Sequence, residues 1–345
     1  MDYDGRYEGS GDSYSVALRI DVGGSGVISA DIFRGTDYLT SVRTRWGLRC
    51  DSAIGRWAAE FSASVATTGS GLVAGTMTIA PNGEPSAGLI VTVRPDMDLP
   101  GLPAGQDAVV TVEWRGAEVR ELGLEVETEE DVVAPGPTAF AGTDINEREC
   151  LRRAGFAVRA VGAPGRIPRQ AEPWDFSRMF TLLHDTMTAR AQSDLSAAAW
   201  QLHLLLLSDS TLEGLQGIMF DGAGVLPRQG AAVFLDEIRA YAAAHHHNPD
   251  RNAIRTVVHE LGHALNLAHR WEPQVGHLES TSFMNYPWKF VPGGTDAYWT
   301  EFKFTFDADE LEFLRHGPLG AVRPGDAPFH SVAYWSGNGW LPPAP

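Results

Sequence analysis

Between Thr256 and His269 the chain reads TVVHELGHALNLAH, which sets His259, Glu260, His263 and His269 within eleven residues. In an α-helix, residues four apart share a face one turn from each other, so His259 and His263 can offer imidazole nitrogens to the same metal ion. Glu260 points beside such an ion rather than at it. A carboxylate there can take a proton from water that a metal has acidified, which makes a hydroxide-like nucleophile near neutral pH. An unbroken helix would turn His269 away from this face, so the spacing predicts a turn between His263 and His269. Asn266 suits that turn, because asparagine is the residue after glycine that most readily takes the left-handed conformation of a helix end.

The elements that must position these side chains are also marked. Asn248-Pro249 reads as an N-cap followed by proline at the first helical position. Ile254, Val257, Val258, Leu261, Ala264 and Leu265 make an apolar face on the same helix, as burial against a sheet requires. Fifteen residues after His269 stands Met284, within Ser282-Phe283-Met284-Asn285-Tyr286.

Together, HELGHALNLAH and the following SFMNY resemble the metzincin clan of zinc peptidases, whose motif is HExxHxxGxxH followed by a methionine-containing turn. Asn266 stands where that motif has glycine. The resemblance implies one catalytic zinc on His259, His263 and His269, with Glu260 as general base. It also implies a hydrophobic floor at Met284, and Tyr286 placed to reach the zinc or the tetrahedral intermediate, as in the astacin and serralysin branches. The expected activity is a zinc-dependent endopeptidase acting on a protein or peptide substrate. The alternative is a binding protein whose β-rich part recognises a partner and whose metal site is regulatory or latent. Glu260 argues against that alternative, since a closed structural site has no use for a carboxylate at this position.

Rival ligands fit less well. Glu272 and Glu279 lie on no convincing second helix, and Asp296, in Gly294-Thr295-Asp296, comes one residue too early for the GTxD of aspartate-ligated zinc peptidases. His245, His246 and His247 read as a solvated loop. His184 and His203 read as structural residues of a helix and a strand, and His277 as a substrate contact rather than a ligand.

The rest of the chain reads as several parts. From residue 14 to about 128, short alternating runs are broken by Gly, Pro, Asn and Asp, with strands predicted over 15–22, 26–33, 72–80, 88–93 and 108–114. About eight strands of this kind argue for an antiparallel sandwich or barrel. This β-rich accessory domain is expected over 1–129, and a Gly/Pro-rich linker over 130–146. An α+β metzincin-like domain with a twisted sheet and the zinc-binding helix is expected over 147–317, and an irregular tail over 318–345. Within the third part, 174–191 has helical spacing, while 200–207, 217–221 and 230–235 read as strands. The family resemblance makes 217–222 the rim that pairs with substrate. Asp307 and Glu310 form a capping-box pair, with Gly317 as the stop.

Composition narrows the partners. A chain of 345 residues with 43% hydrophobic content is globular and long enough for two domains. Its 27 basic against 44 acidic residues, a net charge of −17, repel phosphate backbones and anionic membranes, which excludes nucleic acid as a partner. No stretch approaches the roughly eighteen apolar residues of a membrane span. The N-terminus lacks a basic segment and an apolar core, so the expected location is the cytoplasm. Cys50 and Cys150 are too few for a disulfide framework and are expected to be free thiols.

Cys50 and Asp144 are the two residues ahead of the motif that could mask a metal as latency switches, and neither has the flanking sequence of one. Cys50→Ala and Asp144→Ala are therefore expected to leave casein cleavage by the full chain unchanged. A strong rise in either variant would mark a latent enzyme.

Overall fold

The computed structural model describes residues 3–45, 49–51, 56–64, 72–82, 88–163, 165–191, 200–221 and 227–329. The architecture is mixed α/β and divides into two compact units. One comprises Met1–Arg120 with Leu311–Leu319; the other comprises Glu121–Glu310 and the segment from Gly320.

In the first unit a single antiparallel sheet is built from β1 (Gly5–Ser10), β2 (Ser15–Asp21), β3 (Val27–Arg34), β4 (Asp37–Arg45), β5 (Arg49–Asp51), β6 (Arg56–Ser64), β7 (Leu72–Pro81), β8 (Leu89–Pro95) and β9 (Ala108–Gly116). β1 to β4 and β6 to β9 are meanders, β1 pairs with β9, and β4 pairs with β6. β5 continues along the same edge of β6 as β4, so the sheet curls until its hydrogen-bonded path returns to its start. Period-two alternation drives this closure. Leu18 faces Ala30, and Val91 faces Val110, across the register; all four lie in one buried core with Ile20, Ile32, Val42 and Met77. A one-residue slip would turn this set outward. The five predicted strands correspond to β2, β3, β7, β8 and β9.

The opposite face of β2 and β3 is polar yet buried. Arg19 pairs with Asp31 at 2.5 Å and donates from Nε to Ser29 Oγ at 2.9 Å. The Ser29 proton then goes to His316 Nδ1 at 3.0 Å, which leaves the His316 Nε2–H facing Asp21 at 3.4 Å. Arg315 pairs with the same Asp21 oxygen at 3.0 Å. These partners correct the expected boundaries of 147–317 and 318–345, because Leu311–Leu319 belongs to the first unit.

The second unit starts with β10 (Arg120–Glu129), the hairpin β11 (Thr138–Phe140) and β12 (Thr143–Ile145), α1 (Glu147–Arg153), β13 (Phe156–Ala160) and β14 (Gly165–Ile167). It continues through α2 (Phe176–Ala191), β15 (Gln201–Leu207), β16 (Gly217–Phe220), β17 (Gly230–Phe234), α3 (Leu235–Ala244) and α4 (Pro249–Ala264). The sheet order is β13-β10-β15-β17-β16, with β14 also paired to β10. β10, β15 and β17 run parallel, and β16 closes one edge antiparallel to β17. The expected accessory domain of 1–129 is thus too long. In RELGLEVETE polar and apolar residues alternate, and Glu125, Glu127 and Glu129 are buried between flanking strands. Part of the expected 130–146 linker forms the β11–β12 hairpin. Asn146 caps α1 by accepting from the Glu149 N–H at 2.9 Å. Among the described residues no helix is long and apolar enough to cross a membrane.

Burial opposes ionisation of Asp21, but the His316 hydrogen bond and the Arg315 charge hold its carboxyl well below the usual carboxylate range. A depressed folded-state pKa contributes stability above the unfolded value of about 4, and that contribution is lost as pH falls through the folded value. Asp21→Asn should therefore cost about 1–3 kcal/mol at pH 7 by urea unfolding. The gap to the wild type should shrink at pH 3.

Candidate metal centre

α4 carries the site because its sequence lets the whole helix be buried. Asn248 Oδ1 accepts from the Arg251 N–H at 3.0 Å, and Pro249 opens the first turn. From Asn252 to Ala264 every residue is buried, including five of the six predicted apolar positions, and the sixth, Leu265, is buried beyond them. The helix stops at Asn266, which has φ +71°. The Asn266 N–H reaches His263 O at 2.8 Å, and the Leu267 N–H reaches Gly262 O at 2.9 Å. This is the paired bonding of a left-handed helix end. The Asn266 amide also donates to Ala321 O at 2.9 Å, a bond that glycine could not make.

The turn sends His269 back toward the helix. His263 Nε2 lies 3.1 Å from His259 Nε2 and 3.0 Å from His269 Nε2. Each ring is held from behind: His259 Nδ1 by Phe283 O, His263 Nδ1 by Leu267 O and His269 Nδ1 by Glu272 Oε1, all at 2.8 Å. A carbonyl or carboxylate oxygen can only accept, so each Nδ1 carries a proton and each Nε2 faces the other rings. Burial, then the charge of Arg255 and the neighbouring histidines, holds His259 well below the usual histidine range. Burial and His269 push His263 down to about 3. Held neutral, His259 and His263 cannot hydrogen-bond to each other through their Nε2 lone pairs. One divalent cation where the three Nε2 atoms converge would satisfy the cluster, and a carboxylate or carbonyl behind each ring is the usual support of a metal-binding histidine.

The segment after the helix closes the floor. Met284 is fully buried, and a Cβ added at Gly262 would meet its sulfur at 2.5 Å, so glycine at that position lets the methionine touch α4. Met284 O accepts from the Arg270 N–H at 3.0 Å, and Ser282 Oγ donates to Glu310 Oε2 at 2.5 Å. Glu310 also accepts from the Asp307 N–H at 2.7 Å, half of the predicted capping box, at the start of the helix Ala308–His316.

Beside the cluster lies a cleft of about 470 Å³, whose walls include Tyr241, Arg255, Glu260, Tyr286, Trp288 and Trp299. Glu260 is buried and accepts a backbone hydrogen bond from Met219 on β16; burial pushes its carboxyl up to about 8, against the opposing charge of Arg255. A Cβ at Gly217 would meet Glu260 Cγ at 2.8 Å, so the strand passes this close only as glycine. The Tyr286 ring centre lies 4.6 Å from that of His269 and 5.5 Å from that of His259.

All five site residues singled out in the sequence thus meet at one place. Glu272, rejected as a ligand, supports a ligand instead; its only signal was its position three residues after His269. Glu279 pairs with exposed His277, and Asp296 is exposed. His245 and His246 are exposed, and Cys150 is a buried free thiol. The side chains of Cys50 and His184 lie outside the described residues. Phe329, from the expected tail, stands edge-on to His263 at 5.3 Å.

No family model matches the chain, and no curated protein matches it. The assignment of a function to this site therefore rests on its side-chain geometry.

Glu272→Ala removes the acceptor behind His269 while keeping all three imidazoles. Its zinc affinity should fall about 10- to 100-fold in a chelator-competition titration. Unchanged affinity would mean that Glu272 does not support the cluster.

Proposed function

We propose that the chain is a zinc-dependent endopeptidase with a metzincin-like catalytic arrangement. The observation that carries this reading is the convergence of three Nε2 atoms, each ring fixed from behind, beside a cleft that also holds a buried carboxylate. His259, His263 and His269 would hold the zinc, which supplies Lewis acidity toward water and the scissile carbonyl when bound.

The chain's own groups do the rest. The charge of a zinc ion held beside it would favour the ionised form of Glu260, which can then take the proton of the attacking water and deliver it to the leaving amine. Burial, with the charge of Glu260, pushes the Tyr286 hydroxyl up to about 12, so it remains a donor at neutral pH. From the cleft wall it can donate to the negative charge that develops on the carbonyl oxygen. β16 is an edge strand against which an extended peptide can pair, which accounts for a substrate that is a polypeptide rather than a small molecule. The aromatic walls of the cleft favour a large apolar side chain next to the cut.

Casein cleavage should vanish with a chelator and return with zinc. Glu260→Gln should keep the metal and lose turnover, because the amide preserves shape but cannot accept the proton. Tyr286→Phe should lower kcat by about one to two orders of magnitude with KM little changed. Wild-type turnover in Glu260→Gln, or full metal occupancy in His269→Ala, would defeat the proposal.

A further inference from the structure

The parallel sheet of the second unit carries a second set of metal-ligating side chains. Glu125 and Glu127 lie two apart on β10 and so face the same side, and His203 on β15 stands opposite Glu125 in register. His203 Nε2 is 3.4 Å from Glu125 Oε2 and 3.5 Å from Glu127 Oε2. All three residues are at least 95% buried. Neither ring nitrogen of His203 makes a hydrogen bond among the described residues, and neither does Glu127 Oε2. An imidazole 1% exposed, aimed between two carboxylates and bonded to neither, is costly as it stands.

The spacing is what an ion would set. Metal to nitrogen or oxygen distances of about 2.0–2.2 Å place tetrahedral ligand atoms about 3.3–3.6 Å apart. The neighbours leave room for the group: a Cβ at Gly165 on β14 would meet Glu127 Cγ at 2.7 Å. Gln201 Nε2 donates to Glu125 Oε2 at 3.1 Å and so orients that carboxylate. The Arg159 guanidinium lies against Gly123, two residues before Glu125 on the same face of β10.

We propose that Glu125, Glu127 and His203 bind a divalent metal ion that ties β10 to β15. Two carboxylates and an imidazole suit zinc or manganese, and full burial gives the ion a structural rather than a catalytic role. This site shares no ligand with the three-histidine cluster and stands whether or not that cluster is catalytic.

The full chain, stripped with a chelator, is dialysed against Zn²⁺ or, separately, Mn²⁺, and metal per chain is measured by mass spectrometry. Two zinc ions are expected in the wild type, and one in Glu127→Gln and in His203→Gln. The double variant His259→Ala/His263→Ala, which leaves the sheet untouched, should keep one, and its thermal midpoint should rise when either metal is added. If the double variant binds neither metal, the triad is held by a proton shared between imidazole and carboxylates and the proposal is overturned. Two ions retained in a folded Glu127→Gln would overturn it as well. If either sheet variant fails to fold, the double variant alone decides the matter.

Discussion

Three imidazoles turned toward one point form the constraint on which the second unit depends. His263 Nε2 stands about 3 Å from the Nε2 atoms of both His259 and His269, and each ring is prevented from turning away by the acceptor behind it. Those acceptors come from three different places. Phe283 O belongs to the methionine segment, Leu267 O to the turn after α4, and Glu272 to the loop beyond His269. The cluster therefore specifies the path of some thirty residues downstream of Asn252 as well as the helix itself.

The support continues outward in a chain of buried polar contacts. Arg270, next to His269, is 1% exposed and pairs with Asp307 at 2.9 Å and Asp309 at 2.9 Å. Burial pushes the Glu310 carboxyl up to about 8, against the charge of Arg270, while Glu310 accepts from both Ser282 and Asp307. Arg255 crosses from α4 to Asn285 O and stacks on Tyr286. Breaking one such contact leaves a charge buried without its partner, so this region should lose order as a unit rather than residue by residue.

Much of this was legible in the sequence, and the limits have physical causes. His259 and His263 declare themselves through helical spacing alone, and Asn266 through the backbone conformation it tolerates. Glu272 could not be recognised as a support, because its role depends on the loop's path in three dimensions. Trp288, Trp299, Arg255 and Gly217 come together from positions up to 82 residues apart, and only the fold makes them one wall. Residues 120–129, which form β10, were not marked as part of the second sheet for a related reason. Alternation of polar and apolar residues looks the same whether the polar side meets solvent or other buried polar groups, and Glu125, Glu127 and Glu129 are of the second kind.

The contact between Met284 and Gly262 carries a liability of a different sort. The thioether sulfur is packed against the helix where not even a methyl group could be added. Peroxide would have to reach it through a transient opening, so the intact protein resists this lesion longer than its methionine content suggests. Once formed, the sulfoxide would place a polar oxygen in a space with no room for it, one turn from two of the histidines. Oxidative damage at this single atom would then be read out as loss of the whole cluster.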